Sequence, residues 1–89
     1  MTHKAIPVFP KGVRLKLDKK RQRWVVLAPE RMFVLDEVGT SVMHCVDGKS
    51  NISEIADLLA KRFNAPREEI LDDVMEMLQD MADKGVLVK

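Results

Sequence analysis

The residues that most often perform catalysis or hold metal ions are scarce in this chain. Cysteine occurs once, at Cys45, and histidine twice, at His3 and His44. A single cysteine cannot form a disulfide within the chain. Adjacent residues on a helix point about 100° apart, so His44 and Cys45 cannot hold one metal ion together. We therefore predict a buried cysteine, a surface histidine, no metal, no cofactor and no enzymatic activity.

Long apolar runs are also missing. No stretch approaches the roughly 20 apolar residues that a membrane helix requires. Residues 1–12 place Lys4 and Lys11 around two prolines, without the apolar centre of a signal peptide. We expect no membrane span and no export, and the lone cysteine suits a reducing compartment. The chain of 10.1 kDa fits one domain, which we expect to be cytoplasmic, with residues 1–11 as a flexible lead-in.

Net charge is almost absent, but the charges are unevenly distributed. The total is +1, whereas residues 1–31 contain nine basic and two acidic side chains, a net charge of +7. Residues 67–84 contain seven acidic and two basic side chains, a net charge of −5. The front of the chain is therefore basic and its last helical segment is acidic.

Three short strands are predicted first. Residues 12–17 alternate apolar and basic side chains, which is typical of a half-buried strand. Residues 24–28 are rich in β-branched and aromatic side chains and end at Pro29. Residues 31–35 form a third strand that is apolar at every position from Met32 to Leu35, so both of its faces need cover. The short connections predict an antiparallel meander.

Three helices are predicted next. Asp36 can cap the first, Asp47 and Gly48 end it, and Ser53 is a plausible N-cap for the second, with Ile52 packing just before it. Pro66 suits the first turn of the third, which Lys84 and Gly85 close. The predicted buried positions of the first two helices are Val38, Val42 and Cys45 or Val46, then Ile55, Leu58, Leu59 and Phe63. The predicted fold is α+β, a three-stranded antiparallel meander followed by three helices.

The third helix has a wider apolar face than it needs. At 100° steps its apolar residues span about 160° of arc, against about 100° for an ordinary core-facing stripe. Ile70, Val74, Met77 and Met81 suffice to seat the helix on the domain. Leu71, Met75 and Leu78 would then form a second, available ridge, although complete burial by the other helices explains the pattern equally well.

The third strand and the second ridge together predict a slot for an extended peptide. A peptide can pair with the edge of a sheet through main-chain hydrogen bonds while its side chains contact a neighbouring helix. An unpaired edge is otherwise a liability for a soluble protein. The same edge could serve self-association into a dimer, and the sequence leaves this alternative open.

The order and spacing of short motifs resembles the PqqD family, the pyrroloquinoline quinone biosynthesis protein D. The matching segments are residues 12–15, 28–30, 35–36, 47–48, 55–56, 73–74, Leu78 and 85–87. Asp36 departs from the family, which more often has asparagine there, but either residue can cap a helix.

The resemblance implies a winged helix-turn-helix-like recognition element that performs no chemistry. Such a protein binds the ribosomally made precursor peptide of the quinone and presents it to a radical S-adenosylmethionine enzyme, which joins a glutamate to a tyrosine in the peptide. The resemblance places the peptide on the third strand and the third helix. The corresponding residues here are Arg31, Met32, Phe33, Val34, Leu35, Leu71, Val74, Met75 and Leu78.

Nucleic-acid binding is the alternative function, because small three-helix domains with a β-wing commonly bind DNA. The turn between the first two strands carries Lys19, Lys20, Arg21 and Arg23. The third helix opposes this interpretation, since its net charge of −5 would repel phosphates. We therefore expect no nucleic-acid partner.

Overall fold

The computed structural model describes residues 2–88 and has three strands followed by three helices. The elements are β1 (Arg14–Asp18), β2 (Arg23–Ala28), β3 (Arg31–Val34), α1 (Glu37–His44), α2 (Ile52–Phe63) and α3 (Arg67–Asp83). The strands form one antiparallel sheet in the order β1-β2-β3. This architecture confirms the predicted α+β meander followed by three helices.

The turn between β2 and β3 sets the register of the third strand. It consists of Pro29 and Glu30, and Glu30 has φ = 60°, in the left-handed region. Proline followed by a positive φ is typical of a type II turn. The turn places Arg31 opposite Ala28, so that Phe33 lies opposite Val26. A slip of one residue would move every side chain of β3 to the other face of the sheet.

One face of the sheet packs on the helices. Val26 and Leu35 belong to the buried core, and Leu15 and Phe33 are half-buried against it. The core continues through buried side chains of α1, α2, α3 and the segment after α3; they are Val42, Met43, Val46, Ile52, Ile55, Ala56, Leu59, Leu71, Val74, Leu78, Met81, Val86 and Leu87.

The predicted buried faces of α1 and α2 are partly wrong. Val42 and Val46 are buried as predicted, but Val38 is exposed because it points about 90° from the centre of the face that Val42, Met43 and Val46 form. On α2, Leu58 is exposed because it points about 110° from the centre of the buried face. Phe63 is exposed as the last residue of the helix.

The start of α2 also differs from the prediction. Its N-cap is Asn51, whose side chain accepts the Glu54 N–H at 2.8 Å, while the Glu54 carboxylate accepts the Asn51 N–H at 2.9 Å. This is a capping box. Ser53, the predicted cap, lies within the helix, and its Oγ accepts a hydrogen bond of 2.6 Å from Arg67 Nη2 at the start of α3. The prediction that Asp36 caps α1 is confirmed, since its carboxylate accepts the Gly39 N–H.

The N-terminal segment is docked on the domain. The carbonyl oxygens of His3 and Ala5 accept the N–H groups of Ser53 and Ile52, which have no partner within the first turn of α2. Pro7 is fully buried, and Val8 exchanges two main-chain hydrogen bonds with Val88. These contacts differ from the predicted flexible lead-in over residues 1–11, of which residue 1 lies outside the described part.

The face by which α3 packs is also different from the prediction. Leu71, Val74, Leu78 and Met81 are buried, with Leu71 7% and Leu78 0% exposed. The centre of the buried stripe thus lies between the two ridges that the sequence suggested. Ile70 and Met77 are half-buried on one flank of the stripe, and Met75 is half-buried on the other. The prediction that Leu71 and Leu78 belong to an available ridge is therefore wrong.

The burial pattern of α3 predicts which of two alanine substitutions destabilises the protein more. Leu71→Ala should lower the free energy of unfolding by about 2–5 kcal/mol, because it empties a buried site. Met75→Ala, at the half-buried flank, should cost about 1 kcal/mol or less. Urea unfolding of both variants measures the difference. An equal loss for the two variants would contradict the placement of the stripe.

The capping box of α2 generates a second prediction. Asn51→Ala should lower the free energy of unfolding by about 1 kcal/mol, because it removes an acceptor for a first-turn N–H. Asn51→Asp keeps that acceptor and should remain close to the unmodified protein in the same unfolding experiment. If the aspartate variant is as unstable as the alanine variant, the cap does not account for the loss.

Candidate functional site

The edge of β3 carries main-chain groups that no strand of residues 2–88 pairs with. The Leu35 N–H donates to the Trp24 carbonyl at 3.0 Å, so the main-chain groups of Leu35 face β2. In an antiparallel pair the residues whose N–H and C=O face the partner alternate along the strand. Leu35, Phe33 and Arg31 therefore bond to β2, whereas Met32 and Val34 direct their N–H and C=O groups away from the sheet.

The side chains of β3 make both of its faces apolar. Met32 and Val34 lie on the outer face of the sheet and are exposed, and their cross-strand neighbours there are Leu27 and Val25. Phe33 points to the helix side and is half-buried, and Leu35 beyond the strand is buried. The predicted two-faced apolar strand is present, with its outer face open to solvent.

The helix α3 runs alongside β3 in the opposite direction. At the start of β3, Arg31 Cζ and Lys84 Nζ lie 5.5 Å and 5.6 Å from the centre of the Phe33 ring. Past the end of β3, α1 approaches α3 so closely that a Cβ added to Gly39 would lie 2.8 Å from Met77 Cε. The last turn of α3 thus lies near the first residues of β3, and Met77 lies near the chain that follows β3.

Long side chains join the start of β3 to the C-terminal end of α3. The pairs of elements that pack closely are neighbouring strands, α2 with α3 and, less extensively, α1 with α2. Between β3 and α3 the contact shown is made by long side chains at one end, where Lys84 reaches Phe33. We use the name β3–α3 groove for the surface between the free edge of β3 and the side of α3 that carries Met77. Asp73, Asp80 and the C-cap residue Lys84 share this side with Met77, because the four residues follow one another at spacings of three or four.

The structure brings together only part of the predicted site. Arg31, Met32, Phe33, Val34 and Leu35 lie on or directly beyond the edge strand, as predicted. Of the helix residues, Leu71, Val74 and Leu78 are buried in the core, and Val74 is only 1% exposed, so none of these three has much surface to offer.

Met75 lies on the flank of α3 away from the groove. At 100° per residue it points about 160° from Met77 around the helix axis. Met77 and Lys84, which the sequence argument did not assign to the site, occupy the groove side instead. The sequence shows a wide apolar arc on α3, but it does not reveal which of the two flanks of that arc faces the strand.

The groove has opposite charges at different places. Along α3 an open depression is lined by Asp73, Glu76, Met77, Gln79, Asp80 and Asp83. Lys84 Nζ lies 2.9 Å from Asp80 Oδ2 and, together with Arg31, places positive charge over Phe33. The α3 wall is therefore acidic along most of its length and basic where it meets the start of β3.

Cys45 and His44 lie away from this groove and do not act together. Cys45 is half-buried at the end of α1, and burial raises the pKa of its thiol above the ordinary value. The raised pKa disfavours the thiolate that a nucleophile or metal ligand needs. His44 is exposed and packs edge-on against Trp24, with ring centres 4.4 Å apart. Residues 2–88 contain no group of three potential metal ligands, and no helix among them is long and apolar enough to cross a membrane.

The sequence is similar to that of known proteins of one family. The family model described as Coenzyme PQQ synthesis protein D (PqqD) matches residues 23–87. A PqqA binding protein from Rhodopseudomonas palustris (strain TIE-1) is 49% identical over 83 residues, covering 93% of this chain and 81% of that protein. A bifunctional coenzyme PQQ synthesis protein C/D from Methylorubrum extorquens is 42% identical over 82 residues, covering 92% of this chain and 22% of that protein.

A solved structure has the same fold. The solution structure of the PqqD truncation of Methylobacterium extorquens PqqCD, described as a functional and stand-alone recognition element for ribosomally synthesised and modified peptides, superposes with a TM-score of 0.86. It is 39% identical in sequence, and the match covers 99% of this chain and 94% of that one. The family model, the relatives and the shared fold together show that this chain belongs to the PqqD family.

Proposed function

We propose that this chain is a non-catalytic chaperone for the precursor peptide of pyrroloquinoline quinone. The relatives named PqqA binding protein and the recognition element of similar fold support a peptide-binding role in the synthesis of this cofactor. The observation that carries the proposal for this chain is the free edge of β3 beside α3. Met32 and Val34 offer outward main-chain groups there, and Phe33 and Met77 supply apolar contacts for side chains.

In the proposed complex the peptide extends the sheet as a fourth strand beside β3. Main-chain hydrogen bonds to Met32 and Val34 provide affinity that depends little on peptide sequence. Side chains on alternate positions contact Phe33 and the groove wall at Met77, and this contact provides selectivity. Leu71, Val74 and Leu78, the predicted helix contacts, are buried in the core. In this complex they hold α3 in place and do not contact the peptide.

The proposed role of the complex is to present the peptide to a radical S-adenosylmethionine enzyme. That partner enzyme would perform the joining of glutamate to tyrosine, while this chain contributes only binding. A relative in which a similar domain is part of a bifunctional C/D protein supports close association with an enzyme of the same pathway. We place the reaction in the cytoplasm, where a free, half-buried Cys45 remains reduced.

Substitution of an outward-facing residue tests strand addition. Val34→Pro should weaken binding of the precursor peptide by about tenfold or more, because proline removes the N–H that faces the free edge but no bond to β2. Titration of isotope-labelled protein with the peptide measures both affinity and the amide shifts of β3.

A proline on the opposite edge of the sheet is the matched control. Leu17 is 40% exposed and Val34 43%, and the alternation of the β1–β2 pairing directs the Leu17 N–H away from β2. Leu17→Pro should therefore leave peptide affinity unchanged within about twofold. Unchanged affinity in a folded Val34→Pro variant, with circular dichroism as the test of folding, would remove β3 from the site.

Salt dependence separates this function from nucleic-acid binding. Strand addition with apolar packing should change affinity less than about tenfold between roughly 50 and 200 mM salt, whereas a protein making about 6–10 phosphate contacts loses about 10³–10⁵ over that range. The acidic wall of α3 would repel a phosphate backbone. Steep salt dependence with a DNA duplex, together with absent peptide binding, would reverse the assignment.

A further inference from the structure

A small apolar cavity lies between the three helices, one to two turns along α3 from Met77. It has a volume of about 160 Å³, and its lining residues are Val38, Val42, Leu59, Phe63, Ile70, Asp73 and Val74. Val42, Leu59 and Val74 form a buried floor, whereas Val38 and Phe63 are exposed at the rim. Single exposed apolar side chains are ordinary on protein surfaces, but here they surround one concave site with an apolar floor.

The cavity adjoins the open depression along α3. Asp73 lines both the cavity and the open depression that contains Met77 and Asp80. Gly39 contacts Met77, and Val38 beside it forms the rim of the cavity. A chain that leaves the end of β3 and follows α3 towards its N-terminus therefore passes Met77 and Asp73 before it reaches Ile70.

We propose that this cavity binds one aromatic or branched aliphatic side chain of the same peptide that pairs with β3. This inference rests on the proposed function. The occupant is specified by size and chemistry, because an apolar protein cavity of about 150 Å³ holds a molecule of benzene. Such a volume admits one ring or one leucine-sized group, and the apolar floor of Val42, Leu59 and Val74 favours an apolar group there over a charged one, which would lose its hydration.

The geometry also predicts the position of the anchoring side chain along the peptide. Met77 and Ile70 are seven residues apart on α3, or about 10 Å along the helix axis. An extended chain covers that distance in about three residues. The anchor should therefore lie about three residues beyond the last peptide residue that pairs with β3, on the side near Val34.

A charged substitution at the rim tests the inference against a matched control. Val38 is 53% exposed and lines the cavity, whereas Leu58 is 49% exposed on α2 and does not. Val38→Asp should weaken binding of the precursor peptide by at least about tenfold, the effect of losing one buried apolar contact. Leu58→Asp should change affinity less than about twofold. The fold should tolerate the Val38→Asp substitution, since an acidic residue is favourable in the first turn of a helix.

A second variant tests the same cavity without introducing a charge. Val38→Phe places a ring of the protein at the mouth of the cavity and should also weaken binding at least about tenfold, by competition for the same space. In an alanine scan of the peptide, replacement of one apolar residue outside the paired segment should lower the affinity for the unmodified protein about tenfold. The same replacement should lower the affinity for the Val38→Phe protein less than about twofold, because the contact of that side chain with the cavity is already lost.

The outcomes separate this inference from the proposed function. If the peptide shifts the amides of Met32 and Val34 but both Val38 variants bind as well as the unmodified protein, the cavity is not an anchor site and strand addition stands. If no β3 amide shifts with the unmodified protein, the proposed function itself fails. If Val38→Asp does not fold, the Val38→Phe protein and the peptide scan decide, and absence of coupling between them overturns the inference.

Discussion

The alternation of hydrogen bonds between β2 and β3 is the constraint on which the rest of the site depends. Because Leu35 bonds to Trp24, every second residue of the third strand is committed to the sheet, and Met32 and Val34 are left to face outward. The tight turn at Pro29 and Glu30 sets this register. A one-residue change in that turn would exchange the committed residues with the free ones and would expose Phe33 and Leu35 to solvent.

In the proposed peptide complex, recognition is divided between two kinds of surface. The strand edge presents a regular row of polar main-chain groups that any extended peptide can match. The side of α3 next to it presents a particular sequence of charge and apolar contact, from Lys84 and Asp80 to Met77 and Asp73. The core beneath α3 holds that helix in place through Leu71, Val74 and Leu78. Residues that support the site and residues that form its surface therefore belong to the same helix but to different faces.

Much of the fold could be predicted from the sequence, and the reasons for the misses are specific. The strands and helices were evident from short-range signals such as the alternation in β1, the proline before β3 and the aspartate before α1. The N-cap of α2 was missed because Asn51 and Ser53 are both good caps, and the choice depends on the burial of Ile52 between them. The apolar edge strand β3 could be predicted because a strand that is apolar on both faces is visible in the sequence alone. The flank of α3 was misassigned because an apolar arc of about 160° has two edges, and only contacts with Gly39 and Phe33 identify the edge beside the strand.

The pairing of Val8 with Val88 has a consequence for how the chain is made. Val8 precedes the whole meander in the sequence and Val88 follows α3, and each donates its N–H to the carbonyl of the other. During synthesis this contact cannot form until Val88 has left the ribosome, whereas the meander can pair as soon as it emerges. The open edge of β3 is therefore available before the domain is closed, and the nascent protein must avoid unwanted strand partners during that interval.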